Sequence, residues 1–228
     1  MDSEQTAAIL KKSPLYPFRL KPIYKDYLWG GNRICETLQR KVDPNRTIAE
    51  SWEVSDHDGG VSVIENGPLT GVAIHDLILA RREGVFGAES KMFDRFSRFP
   101  LMFKYIDAMK MISVQVHPDE ETAKKHDFHD TGKAEAWMVL EANPGSLMYI
   151  GFKKPSSQSE VEAALKNGTI DSLLNRVEPK PGDCYMIPPG MVFFWPRCSK
   201  PAICRSGCST GTKPTIREME DSSKSSNR

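Results

Sequence analysis

The chain has 228 residues, with 31 Lys and Arg against 30 Asp and Glu and a net charge of +1. That balance leaves no global field to draw it to nucleic acid or an anionic membrane, and directs attention to small molecules or proteins as partners. Such a length predicts one large domain, or one domain plus an appendage, able to bury roughly 70% of its unfolded surface.

The opening stretch MDSEQTAAILKKSPLYPF carries acids before any base and no apolar core of a secretory signal. No later run approaches the ~20 apolar residues of a membrane span, so the expectation is a soluble, cytoplasmic protein. From Phe18 to Ile64 short alternating or β-branched runs (FRLKPIY, SWEVS, GVSVIE) are bounded by the turn signals Trp29-Gly30-Gly31, Asp58-Gly59-Gly60 and Asn66-Gly67, which predicts antiparallel strands. AIHDLILARREGVFG spaces its apolar residues as a helix does and ends on glycine. PLMFKYIDA, MISVQVHP and, after a loop, AEAWMVLEA read as strands with few polar interruptions. SSQSEVEAALKNGTIDSLLNRVEPKPGD predicts two short helices, the first opened by a Ser-rich cap with acids in its first turn. CYMIP is a further strand, running into a Pro-Pro-Gly turn.

This order predicts a mostly β domain, a sandwich or barrel of the jelly-roll kind with short helical insertions, over residues 15–195. No internal repeat stands out. After Trp195 the composition turns to Ser, Lys, Arg, Pro and Cys, and residues 196–228 read as a polar tail without order. Cys35 and Cys184 are isolated, whereas Cys198, Cys204 and Cys208 crowd into that tail. Their C-x5-C-x3-C spacing is not a recognised metal-ligand pattern. GCSTGTK imitates a phosphate-binding loop, but its glycine spacing is one residue short and no strand is predicted before it.

The strongest constellation is SVQVHPDEE followed by TGKAEAW. On a strand alternate residues share a face, so Gln115 and His117 point one way while Val114 and Val116 point the other. Glu135 on a neighbouring strand would make a mixed N/O site suited to Zn²⁺ or another borderline divalent ion, with Lys133 on the same face as Glu135. A Q-x-H pair on a strand also reads as a hydrogen-bonded surface pair. His126 and His129, at i, i+3 spacing, read as a solvated loop or as further ligands, and His57 and His75 have no partner that spacing identifies.

The segments LKPIYKDYLWGG, AESWEVSDHDGGVSVIENG, RFPLMFKYIDA, MISVQVHPDEE, TGKAEAW and KPGDCYMIPPGMV together resemble type I mannose-6-phosphate isomerases of the short bacterial form, a family of cupin-fold zinc enzymes. The resemblance implies Gln115, His117 and Glu135 as ligands of one zinc ion, the glutamine being the weaker. It implies Lys133 as a catalytic or substrate-binding group, and Lys104 and Ser113 as contacts to the sugar phosphate. Trp29, Glu50 and Trp52 match as well and read as scaffold or pocket wall. The implied reaction interconverts mannose 6-phosphate and fructose 6-phosphate by ring opening and proton movement between C2 and C1 through an enediol-like intermediate. A lysine beside a cation has a lowered pKa and is a candidate base.

The family pattern follows the Pro-Pro-Gly turn with a two-residue step, here Met191-Val192, and then a histidine, the fourth ligand, but position 193 is Phe. The match is full through Val192 and absent beyond it. That abrupt end reads as a shifted reading frame or a truncation, which would leave sheet edges open. Zinc affinity is then expected to fall by orders of magnitude. The alternative function is a non-catalytic sugar-phosphate-binding cupin, or an inactive product.

Overall fold

The computed structural model describes residues 9–10, 12–43, 45–126 and 131–195, together with the backbone of 202–208. Strand β1 (Ile23–Lys25) pairs antiparallel with β2 (Glu50–Val54), Ile23 opposite Trp52. A short helix α1 (Arg33–Thr37) lies between them in sequence. The ribbon β3 (Asp56–His57) and β4 (Gly60–Val61) turns at Gly59. Helix α2 (Ile74–Phe86) falls where the apolar spacing predicts one. It buries Ile74, Leu77 and Ile78, and Leu77 joins Leu10, Ile64, Leu69 and Val72 in a satellite cluster. The helix stops at Gly87, whose φ of 70° belongs to the left-handed region that glycine occupies at no steric cost.

Strand β5 (Met102–Ala108) pairs with β2, and helix α3 (Glu120–Lys125) follows, capped by Asp119, whose carboxylate accepts the Thr122 N–H. Strand β6 (Glu135–Ala142), then β7 (Met148–Phe152), lead to helix α4 (Gln158–Lys166). As the Ser-rich region predicts, α4 opens with a capping box: the Glu160 N–H donates to Ser157 Oγ (3.3 Å) and the Ser157 N–H to Glu160 Oε2 (2.7 Å), an arrangement worth about 1 kcal/mol. The second predicted helix is only a 3-10 turn, Ile170–Leu173, and the chain then straightens into β8 (Leu174–Val177). The remaining strands are β9 (Cys184–Ile187), β10 (Phe193–Phe194) and β11 (Ala202–Cys208).

A six-stranded sheet has the order β1-β2-β5-β11-β6-β9, a three-stranded sheet the order β10-β7-β8, and β3-β4 stands apart. The main core draws Ile106, Trp137, Val139 and Ile187 from the first sheet and Met148 and Phe193 from the second, so the two sheets share one apolar layer. The segment 192–195 is buried on both sides of its backbone. Phe193 and Trp195 enter the main core, while Val192 and Phe194 enter a second cluster with Ala164, Ile170 and Leu174. Among the described residues, no helix is long and apolar enough to cross a membrane.

Two expectations are corrected. MISVQVHP forms no regular strand. It touches 190–195 through the Ile112 N–H to the Trp195 carbonyl (3.0 Å), the reciprocal pair Gln115 and Phe193 (2.9 Å each way) and the Gly190 N–H to the His117 carbonyl (2.8 Å). The register slips by a residue on either side of Gln115, so only an isolated bridge remains. Residues 202–208, placed by their polarity in a tail without order, run as β11 antiparallel to both β5 and β6. Two strands flanking one slot offer unpaired N–H and C=O groups on both sides, and backbone pairing there does not depend on the inserted strand's hydrophobicity. Cys198 and GCSTGTK beyond Cys208 lie outside the described residues.

Phe194 stacks on Tyr149 at 4.7 Å with an interplanar angle of 6°. Phe194→Ala is expected to lower unfolding stability by about 3–5 kcal/mol, read as a fall in the urea midpoint.

Candidate functional site

The site is built where β6 begins. Alternation on β6 turns Glu135, Trp137 and Val139 inward and leaves Met138 outward. Lys133, two residues before Glu135, is held by its backbone N–H donating to the Pro118 carbonyl (3.0 Å), which brings the lysine beside the 112–117 segment. Gly132 makes this approach possible. A Cβ there would lie 2.4 Å from the Glu120 nitrogen and 2.6 Å from the Asp119 carbonyl carbon, backbone atoms that cannot step aside. On the other side the Pro188-Pro189-Gly190 turn, with Gly190 at φ 81°, fixes the His117 carbonyl.

Three sequence-predicted residues therefore converge. His117 Nε2 lies 3.5 Å and Lys133 Nζ 2.6 Å from Glu135 Oε1, and the Trp137 indole N–H donates to Glu135 Oε2 at 2.7 Å. His117, Lys133 and Glu135 are at most 2% exposed. Burial pushes the Glu135 carboxyl upward, but the Lys133 ammonium, the hydrogen bond from His117 and the charge of Lys104 outweigh it and hold the group well below the usual carboxylate range. Gln115 is also buried, and its side-chain N–H donates to Ser113 Oγ (3.3 Å). Ser113 itself is exposed. Phe193, opposite Gln115, packs edge-on against His117 (5.2 Å) and Trp137 (5.5 Å), so an aromatic ring covers this side of the buried cluster.

Lys104, expected to face substrate, is buried and donates to Glu50 Oε1 at 3.1 Å. The Trp52 indole N–H donates to Glu50 Oε2 at 2.6 Å. Glu50, expected as scaffold or pocket wall, thus joins Lys104 and Trp52 in one buried hydrogen-bonded group. The signal was available: Glu-x-Trp occurs at 50–52 and again at 135–137. Burial raises the pKa of the Tyr27 hydroxyl, Glu50 adds to the rise and Lys104 opposes it, so this otherwise exposed side chain senses the same charges. His75 lies 3.0 Å from Asp56 Oδ1, His57 Nδ1 accepts the Gly59 N–H, and His126 ends α3 on an exposed surface. His129 lies outside the described residues.

The donor chemistry can be tested against a divalent ion. Two ligands at zinc-to-nitrogen and zinc-to-oxygen lengths of about 2.0–2.2 Å and a tetrahedral angle stand about 3.4 Å apart. The His117 Nε2 to Glu135 Oε1 separation of 3.5 Å fits that edge. Among the described residues no group of three His, Cys, Asp or Glu could hold a metal, so a third donor would be the Gln115 amide oxygen.

Residues 17–136 match the family model for the catalytic domain of type I phosphomannose isomerase, and every sequence-predicted site residue falls inside that span. A probable mannose-6-phosphate isomerase of Bacillus subtilis is 34% identical over 175 residues, 77% of this chain and 53% of the relative. A mannose-6-phosphate isomerase of Streptococcus mutans is 36% identical over 163 residues, 72% of this chain and 49% of the relative. The chain thus spans about half the length of these curated relatives. The crystal structure of the mannose 6-phosphate isomerase from Bacillus subtilis superposes with a TM-score of 0.77 at 27% identity, over 89% of this chain and 61% of that one. This likeness bears out the expected mostly β, cupin-type fold.

The pairing sets a pH dependence for the metal-free protein. A folded-state pKa depressed below the unfolded value gives stability that is present above the unfolded pKa and lost as pH falls through the folded one. Glu135 should therefore cost stability only in acid below about 4.3. In Lys133→Met the buried carboxylate loses its main counter-charge and the loss should move to higher pH. Urea midpoints measured from pH 3 to 8 check this, and superimposable profiles would contradict it.

Proposed function

The chain belongs to the type I phosphomannose isomerase family, and on that footing we propose that its pocket serves the interconversion of mannose 6-phosphate and fructose 6-phosphate. The observation that carries this reading is the buried convergence of His117, Lys133 and Glu135 inside the span that matches the family. Gln115, His117 and Glu135 would hold one zinc ion, whose chemistry when bound is to orient and polarise the oxygens of the sugar. The chain's own groups account for the rest. Lys104 and Ser113 supply a cation and a hydroxyl suited to an anionic phosphate. Lys133 brings a fixed positive charge next to the ligand set, where the oxygen of an enediol-like intermediate would gain negative charge as the proton moves between C2 and C1. Trp137 and Phe193 wall the site with apolar surface, which excludes water and strengthens these charge interactions.

The phosphorylated sugar is the partner this chemistry calls for. The net charge of +1 supports neither nucleic acid nor a membrane surface as one. Cys35 and Cys184 are free thiols, in keeping with a cytoplasmic location.

A second reading, a sugar-phosphate-binding module without turnover, is favoured by one feature: the aromatic ring of Phe193 stands against His117 where the family pattern calls for a histidine. A coupled assay with mannose 6-phosphate in the presence of Zn²⁺ separates the two. Turnover supports the isomerase; binding of mannose 6-phosphate without turnover supports the module; neither overturns both.

For the isomerase reading, His117→Ala is expected to lower kcat/KM at least about 100-fold, and parental activity in that variant would refute the assignment. Phe193→His is expected to tighten Zn²⁺ binding by roughly 100-fold or more, since even outer-shell partners of a ligand change metal affinity 10- to 100-fold. Competition with a chromophoric chelator measures it.

A further inference from the structure

The pocket has two arms of the same construction. On β6, Glu135 gives one oxygen to the indole of Trp137 two residues on and the other to the buried Lys133. On β2, Glu50 gives one oxygen to the indole of Trp52 two residues on and the other to the buried Lys104. Lys104 is the direct cross-strand partner of Trp52 in the β2–β5 ladder, so all three side chains of the second arm occupy one face. Its charge reaches Glu135 in the first arm, and Tyr27 lies within the field of both Glu50 and Lys104.

A buried ion pair is a poor way to hold two strands together, because the desolvation of both charges often exceeds what an apolar pair of similar size would provide. Glu50 and Lys104, 1% and 2% exposed, carry that cost beside the candidate site. A charge needed in one place accounts for it. A buried ammonium without a counter-charge would shed its proton or turn towards water, and a carboxylate clamped by an indole on its other oxygen has little freedom to follow it.

We infer that Glu50 is a positioning residue: through its bond to Lys104, and itself fixed by Trp52, it keeps that ammonium charged and aimed into the interior it shares with Glu135. This deepens the sugar-phosphate reading and, for its effect on ligand binding, rests on it.

The test has two arms. In the first, lysine side-chain ammonium signals are recorded by ¹H–¹⁵N NMR, where a buried, ion-paired ammonium is protected from exchange and visible. Lys104→Met assigns the signal, Glu50→Gln should abolish it and Glu50→Asp should restore it in part. A signal unchanged in Glu50→Gln overturns the inference. In the second, calorimetry with mannose 6-phosphate should show Glu50→Gln and Lys104→Met each weakening binding by roughly 10- to 100-fold, the range expected for a lost charged hydrogen bond. The double variant should bind no more weakly than Lys104→Met, because Glu50 acts through Lys104. Losses that multiply in the double variant overturn the inference. Should Glu50→Gln fail to fold, the neutral double variant set against Lys104→Met alone still decides, equal affinities supporting the positioning role and a further loss refuting it. Should the parent chain bind no mannose 6-phosphate, the reading of the pocket fails, while the NMR arm still determines whether Glu50 holds Lys104.

Discussion

The carboxylate of Glu135 is the constraint around which this structure is arranged. Burying it costs several kcal/mol unless charge and hydrogen bonds meet it inside, and here both oxygens are met, by Lys133 on one side and Trp137 on the other, with His117 close by. Each partner imposes something on the chain. Lys133 requires the loop before β6 to press against α3, which only a glycine at 132 permits. Trp137 must follow on the same face of the strand, where it stacks on Trp195 at 4.3 Å and becomes part of the main core. His117 must be carried by a segment tied to the 190–195 stretch. The polar centre and the apolar core are in this sense one construction, since the indole that satisfies the carboxylate is also a core side chain.

Much of this was legible in the sequence, for reasons that can be named. Period-2 alternation in SVQVH and KAEAW placed Gln115 with His117 and Lys133 with Glu135, and the structure keeps those residues buried. The helix over 74–86 and the capping box of α4 followed from apolar spacing and from Ser157 with Glu160. Other features depended on contacts that local pattern does not carry. The extended segment 112–117 has strand-like residues, but its partner slips register around Gln115, which only the facing segment can reveal. The strands β7 and β8 were missed because MYIGF is broken by Gly151 and LNRV is short and half polar. The strand at 202–208 is fixed by two neighbours distant in sequence. Glu50 was read as scaffold because a glutamate in a strand has no period of its own; its repetition with a tryptophan two residues on was the clue.

Position 193 is where the chain departs most clearly from the pattern that its motifs otherwise follow. The phenyl ring is not idle there. It bridges the two sheets of the core and lies against both His117 and Trp137, so it strengthens packing at the place where an imidazole would add a ligand. On the proposed reading the donor set that remains is one imidazole, one carboxylate and one amide, with an ammonium already on the carboxylate. Lys133 supplies the charge that neutralises the buried carboxylate, and Phe193 fills the space beside His117. The two Glu-x-Trp arms together bury four charges in two pairs, Glu135 with Lys133 and Glu50 with Lys104, each carboxylate also bonded to an indole.

The central claim is that His117, Glu135 and Gln115 are arranged as one cation-binding set. X-ray absorption fine structure of the Zn²⁺-loaded protein tests it most directly. The account predicts a first shell of nitrogen and oxygen only, at about 2.0–2.2 Å, with the outer-shell scattering of a single imidazole that vanishes in a variant lacking His117. Sulfur scatterers at about 2.3 Å, or a shell unaffected by loss of His117, would place the metal elsewhere and contradict it.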